Sequence, residues 1–315
     1  MAWSLVAMVL AVAGLILLFP LPNSPNLQAK AEQIAVLAIR GDKKIGILGN
    51  SVIDHVSRCD QDQRNIPQLI AGAETAPVAD LSFGGQTEEE EVNLADVALK
   101  ARGISKILMF VSTTGFADKD TLDIQSSLFF RTAGNRLKSD EIAPRLRRGA
   151  YLFPAVQERH GPFTYAGVTY PDYDGIKARY FEPERMAMPC PENAGRNLKF
   201  IQAYYWNDLV QPDVWLPNID DIVRLKQAAR QARTPLTIVL LPIDFPDMLA
   251  MDPALAKAAL GRKDELLGVL RQRGIDILDA SQVVDAGGFA DRYCACGHLN
   301  ERGRRALVAA IEGRL

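Results

Sequence analysis

Histidine is scarce in this chain. The three present, His55, His160 and His298, are scattered over 315 residues, and a zinc-hydrolase motif such as His-Glu-x-x-His is absent. No excess of one charge is present either. Lys and Arg number 36 against 38 Asp and Glu, leaving a formal net charge of −2. There is no basic stripe and no run of aromatics spaced among Lys and Arg, which argues against nucleic acid as a partner. A Gly-rich phosphate loop of the P-loop or dinucleotide type is missing, which weighs against a nucleotide-binding or receiver-type domain. No internal repeat and no low-complexity tract occurs. Neither a metal nor another cofactor is expected.

What the chain does have is apolar material. Hydrophobic residues make up 48%, enough for a substantial core in one large α/β domain or two small ones. Residues 2–21 are apolar except for Ser4 and carry no charge. At about 1.5 Å per residue, a helix of that length crosses the roughly 30 Å hydrocarbon core of a bilayer. A membrane anchor over residues 1–22 competes with a cleaved signal peptide. Ala29-Lys30-Ala31 has the small residues of a cleavage site but lies well beyond the apolar run, and a charged leading segment is missing. The anchor is therefore the favoured reading. Lys/Arg bias does not set its orientation, because nothing basic precedes Ser4. Residues 23–42 read as a helical linker, with Leu27, Ala31, Ile34, Ala35 and Ala38 on one face.

From residue 43 onward, apolar strands alternate with helices. Lys43–Leu48 is the first strand and 77–83 the second. The third, 106–112, is apolar enough to be central in a parallel sheet. Strands at 236–242 and 275–279 follow. Helices are expected over 51–70, from Thr87 with its capping partner Glu90 to about Arg102, through Ile222, Leu225 and Ala229, through Leu266 and Leu270, and from near Leu299 to the end. This pattern predicts an α/β domain over 43–315, with a central parallel sheet of about five strands in three layers. Residues 116–196 break the rhythm. They are rich in Tyr, Phe, Pro and charge, and follow the third strand's carboxyl end. Such an insertion is either a lid with aromatics suited to stacking on sugar rings or an irregular structural cap.

Two short stretches carry the chemistry. Gly49-Asn50-Ser51 follows the first strand, and a parallel sheet presents its reactive groups at the carboxyl ends of its strands. Ser51 also suits a plain role as the N-cap of the next helix. Near the other end, Cys296-Gly297-His298-Leu299-Asn300 precedes the last helix. A serine hydroxyl needs an adjacent base to become a useful nucleophile, and histidine titrates in the right range. Ser51 and His298 are thus expected to meet as nucleophile and base. His55, one helical turn beyond Ser51, is either near the site or a partly buried helix residue. Gly84-Gly85-Gln86 follows the second strand, and backbone N–H groups of the glycines can approach a ligand closely.

The Gly-x-Ser after the first strand, the Gly loop after the second and the His-Leu-Asn-x-x-Gly block before the last helix together resemble the SGNH (GDSL-type) hydrolase superfamily. The resemblance runs in order through most of residues 43–313, with the first and last blocks carrying its specificity. It implies a flavodoxin-like three-layer fold and acyl transfer through Ser51 with His298 as base. The oxyanion donors would be the backbone amides of Ser51 and Gly85 with Thr113 or Thr114. With an amino-terminal span, the chain is similar to D-alanyl transfer proteins and to the SGNH partners of polysaccharide O-acetylation systems. That likeness implies a large domain outside the cytoplasm and an acylated polysaccharide or lipid-linked glycan as substrate. The implied partners are the lipid bilayer and a multi-spanning membrane O-acyltransferase.

The chain departs from the family pattern at three places. Asn50 stands where Asp is usual, Ser112-Thr113-Thr114-Gly115 where an Asn commonly donates, and Ala295 where the triad Asp precedes the His by three residues. The pair is then a Ser–His dyad, or an acid from elsewhere, Asp291 or Asp279, orients the imidazole. Loss of that carboxylate costs about four orders of magnitude in a protease triad, so a degenerate binding scaffold is the competing expectation. The four cysteines, Cys59, Cys190, Cys294 and Cys296, fit disulfides in an oxidising compartment, with Cys294 or Cys296 bridged to Cys59 or Cys190. Free thiols, or a metal site built from Cys294, Cys296 and His298, are the alternatives.

Overall fold

The structure is a computed structural model. It describes residues 30, 32–34, 36–37, 44–57, 59–73, 77–84, 86, 88–100, 103–113, 116, 163–165, 168–170, 212–251, 253–290 and 297–313. The expected anchor over 1–22, and nearly all of the insertion over 116–196, lie outside these residues. Among the described residues no helix is long and apolar enough to cross a membrane.

The domain is built on a five-stranded, all-parallel sheet with helices, an α/β architecture. Its strands are β1 (Lys44–Leu48), β2 (Val78–Asp80), β3 (Ile104–Val111), β6 (Leu236–Leu240) and β7 (Ile277–Asp279), in the order β2-β1-β3-β6-β7. Two further strands, β4 (Phe163–Tyr165) and β5 (Val168–Tyr170), form a separate antiparallel pair within the insertion. Each expected strand of the main sheet is present, with β2 and β7 shorter than the apolar runs suggest. The β3 run earns its central place: it pairs with β1 on one side and β6 on the other.

Side chains along β3 alternate between two cores, as the period-2 geometry of a strand requires. Ile107, Met109 and Val111 join Ile222, Leu225, Leu266 and Leu270 on one face. Leu108 and Phe110 join Ile66, Ile70, Leu307 and Ile311 on the other. The first face is covered by α3 (Glu88–Lys100), α4 (Pro212–Ala232) and α6 (Pro253–Gln272), the second by α2 (Ile66–Ala73) and α7 (Glu301–Glu312). A short α5 (Phe245–Met251) follows β6.

The long helix expected over 51–70 is not formed. α1 spans only Ser51–Asp54, residues 55–57 and 59–65 leave helical geometry, and α2 starts at Ile66. Tertiary ties account for the break. Asp60 pairs with Arg304 of α7 at 2.5 Å, and the Asp62 N–H donates to Glu301 Oε2 at 3.0 Å. Cys59, between them, is disulfide-bonded; the other three cysteines lie outside the described residues.

Candidate active site

Chain direction places β1 and β3 side by side while β2 lies beyond β1. The connections leaving β1 and β3 therefore diverge, and the gap between their carboxyl ends is where parallel sheets bind ligands. Gly49, Asn50 and Ser51 occupy that point directly after β1. Gly49 has no room for a side chain, since a Cβ there would lie 2.6 Å from Ile53 Cδ1 and 3.1 Å from Phe110 Cβ. The turn is thus packed hard against β3 and α1.

Ser51 is not the cap of its helix. Asn50 holds that position, its Oδ1 accepting from the Val52 N–H at 2.9 Å. An Asn supplies the same acceptor as an Asp here, which explains why Asn50 serves. Ser51 is the first helical residue, half-buried, and its hydroxyl is not required for capping.

The loop after β2 closes on this turn. A Cβ on Gly84 would sit 3.9 Å from Ser51 Cβ. Gln86, buried at 5% exposure, accepts from the Gly49 N–H through Oε1 at 3.3 Å. Its Nε2 is buried as well and has no hydrogen-bond partner among the described residues. The sequence offered only a hint of this residue, its place at the end of a Gly pair. Thr113 is buried at the carboxyl end of β3. Gly85, Thr114 and Asp291 lie outside the described residues.

The carboxyl-terminal block is held against the same edge, and each member of His-Leu-Asn-x-x-Gly has a structural reason. Leu299 is fully buried and forms a bridge with Phe289. Asn300 caps α7, accepting from the Gly303 N–H at 3.1 Å and donating through Nδ2 to Gly287 O at 2.8 Å. Gly303 passes so close to the Gly288 carbonyl that a Cβ would fall 2.0 Å from its oxygen. Gly297 has φ +67°, a left-handed conformation that glycine adopts without strain. The Ala290 N–H donates to the His298 carbonyl at 2.8 Å. Pinned this way, His298 turns its ring onto His55, with centroids 4.3 Å apart and planes 20° from parallel. His55 closes α1, its N–H donating to Ser51 O at 2.8 Å. The last segment of the chain thereby reaches the turn that carries Ser51.

No family model matches the chain, and no curated protein matches it.

Two carboxylates, Asp279 at the end of β7 and Asp54 in α1, behave differently. Asp279, one of the acids expected to orient the imidazole, is committed elsewhere: it accepts from the Ser281 N–H at 3.0 Å and from Lys263 Nζ at 3.0 Å. Burial alone would raise its carboxyl; the bonds from Ser281 and Lys263 outweigh that and hold it below the usual carboxylate range. Asp54, on the helix of Ser51, is pushed up, first by burial and then by the charge of Asp80. Lys30 and a hydrogen bond from Asn65 oppose the shift without cancelling it. Among the described residues no group of His, Cys, Asp and Glu is arranged to hold a metal ion.

Proposed function

We propose that the protein is a membrane-anchored, SGNH-like esterase or O-acyltransferase of the cell envelope, with a flavodoxin-like three-layer domain. The observation that carries this reading is the stack of His298 on His55, which joins the only His-Leu-Asn-x-x-Gly block to the Ser51 turn. The strand order β2-β1-β3-β6-β7 supports the flavodoxin-like topology. The disulfide at Cys59 supports an oxidising compartment, and so a domain outside the cytoplasm.

In this reading Ser51 Oγ attacks the acyl carbonyl as His298 takes its proton. The carbonyl oxygen, now negative, is met by backbone N–H groups of Ser51 and Gly85 with Thr113 or Thr114. The tetrahedral intermediate collapses, the leaving alcohol takes the proton from His298, and the acyl group stays on Ser51. Water or a glycan hydroxyl then gives its proton to His298 and attacks the ester, and as the second intermediate collapses Ser51 Oγ leaves with that proton from His298. The substrate is an acylated polysaccharide or lipid-linked glycan, and a multi-spanning membrane O-acyltransferase is the natural partner. A second reading, a binding scaffold of the same fold, is favoured by Ala295 at the place of the orienting acid.

Fluorophosphonate labelling separates them. A reactive serine labels, and Ser51→Ala abolishes the signal. An unlabelled but folded chain leaves the scaffold reading.

A further inference from the structure

The segment that links the apolar amino terminus to the domain is not a free stalk. Residues 30, 32–34, 36 and 37 are helical, and Ile34 and Leu37 are buried in the core cluster beneath α3. Lys30 Nζ donates to the Asp80 carbonyl at 2.8 Å and lies 3.8 Å from Asp80 Oδ1. Asp80 is the last residue of β2, so Lys30 is fastened at the carboxyl edge of the sheet. β1 begins at Lys44, on the opposite edge. The docked segment therefore runs antiparallel to the strands, and Lys30, its first described residue, lies on the same edge as Ser51.

Of the three large apolar side chains left in the open among the described residues, Val36 is on the docked segment itself and the other two lie toward that edge. Val283, 37% exposed, follows the carboxyl end of β7, and Leu249, 46% exposed, lies in α5 after the carboxyl end of β6. Single exposed apolar groups are ordinary on a protein surface; these two share the edge at which Lys30 is held. The apolar run of residues 2–21 ends close before Lys30. Even fully extended, at about 3.5 Å per residue, the residues between them span only about 30 Å. Pro22 and Pro25 stand in that short tether.

We infer that the carboxyl edge of the sheet, with Ser51, faces the bilayer surface, so that the acyl ester it takes belongs to an amphiphile resident in the membrane. This rests on the anchored reading given above. The docked helix fixes which edge looks down, Lys30 and Asp80 fasten it there, and Val283 and Leu249 meet the interface. A soluble polymer diffusing in the envelope would have to enter between the domain and the membrane, whereas a lipid-held ester arrives from the side.

The test is energy transfer from the full chain in vesicles of phosphatidylethanolamine and phosphatidylglycerol carrying a headgroup acceptor dye. A fluorescent noncanonical residue replaces Val283 in one sample and Asp276 in another. These exposed positions flank β7, beyond its carboxyl end and before its amino end. Transfer from position 283 is expected to exceed that from 276 severalfold. Equal or reversed efficiencies overturn the inference, and so does a chain that fails to float with the vesicles. The measurement needs no chemistry. A chain that labels with fluorophosphonate but shows equal transfer loses this inference alone. One that shows the expected transfer and does not label loses the acyl-serine reading, while its orientation stands.

Discussion

The imidazole of His298 lies against that of His55, centroids 4.3 Å apart, although the rings come from opposite ends of the domain. Only one of the two has a chemical task in the proposed reaction; the other is a wall. His298→Ala should slow fluorophosphonate labelling by about 10²- to 10⁴-fold, the range for a positioned general base. His55→Phe preserves a flat ring in the stack and should leave labelling within severalfold of the parent. A His55→Phe chain as slow as His298→Ala would show that His55 shares in handling the proton and is more than a wall.

Gly303 meets the Gly288 carbonyl where the last helix begins. In Gly303→Ala the new methyl would fall 2.0 Å from a backbone oxygen, which cannot swing aside as a side chain can. The expected cost is about 3 kcal/mol, at the upper end for overpacking, read as a lower midpoint in urea. Because the same turn carries Asn300 and His298, labelling of the folded fraction should fall as well.

Arg304 is fully buried and holds the loop between α1 and α2. Its guanidinium reaches Asp60 at 2.5 Å, Leu299 O at 3.2 Å and Asp62 O at 2.6 Å. Removing one member of a buried ion pair leaves the other charge stranded, which costs about 3–5 kcal/mol. Arg304→Ala should lose that much in denaturant titration. Arg304→Lys should recover only part of it, because an ammonium cannot reproduce the fork that meets three acceptors. Full recovery by Lys would mean that charge alone matters here.

Asp54 gives a pH-dependent outcome. Its carboxyl is raised above the ordinary value of 3.8, first by burial and then by Asp80. A raised acid is harmless to the fold while protonated. As pH climbs through the folded-state pKa, the folded chain must ionise Asp54 beside Asp80, and stability relative to an uncharged residue falls. Asp54→Asn should therefore raise Tm by a few degrees at pH 7, with the gain disappearing below pH 3.8. A gain that persists in acid would point to packing rather than charge.

Much of the scaffold could be read from local pattern. The apolar run of β3 announced a strand buried on both faces, and the helical spacing of Ala306, Leu307, Ala310 and Ile311 announced the last helix. The first is a continuous apolar run and the second a helical period, and both survive without knowing what packs where. The Gly-x-Ser turn and the His-Leu-Asn-x-x-Gly block were likewise visible as short motifs. The break after Asp54 was not, because Asp60 and Asp62 are drawn to partners more than two hundred positions away, Arg304 and Glu301. Nor was the capping role of Asn50, where a neighbouring Ser reads equally well.

Composition and spacing settled what kinds of element this chain forms: a parallel sheet, amphipathic helices and a serine in the turn after the first strand. Those choices depend on each residue's own preferences and its near neighbours. Which residues meet is a different matter. That His298 reaches the helix of Ser51, that Asp279 is taken by Lys263, and that Lys30 is fastened to Asp80 depend on strand order and on burial. Contacts between distant segments exist only once the sheet has set their positions, so only the folded chain decides them.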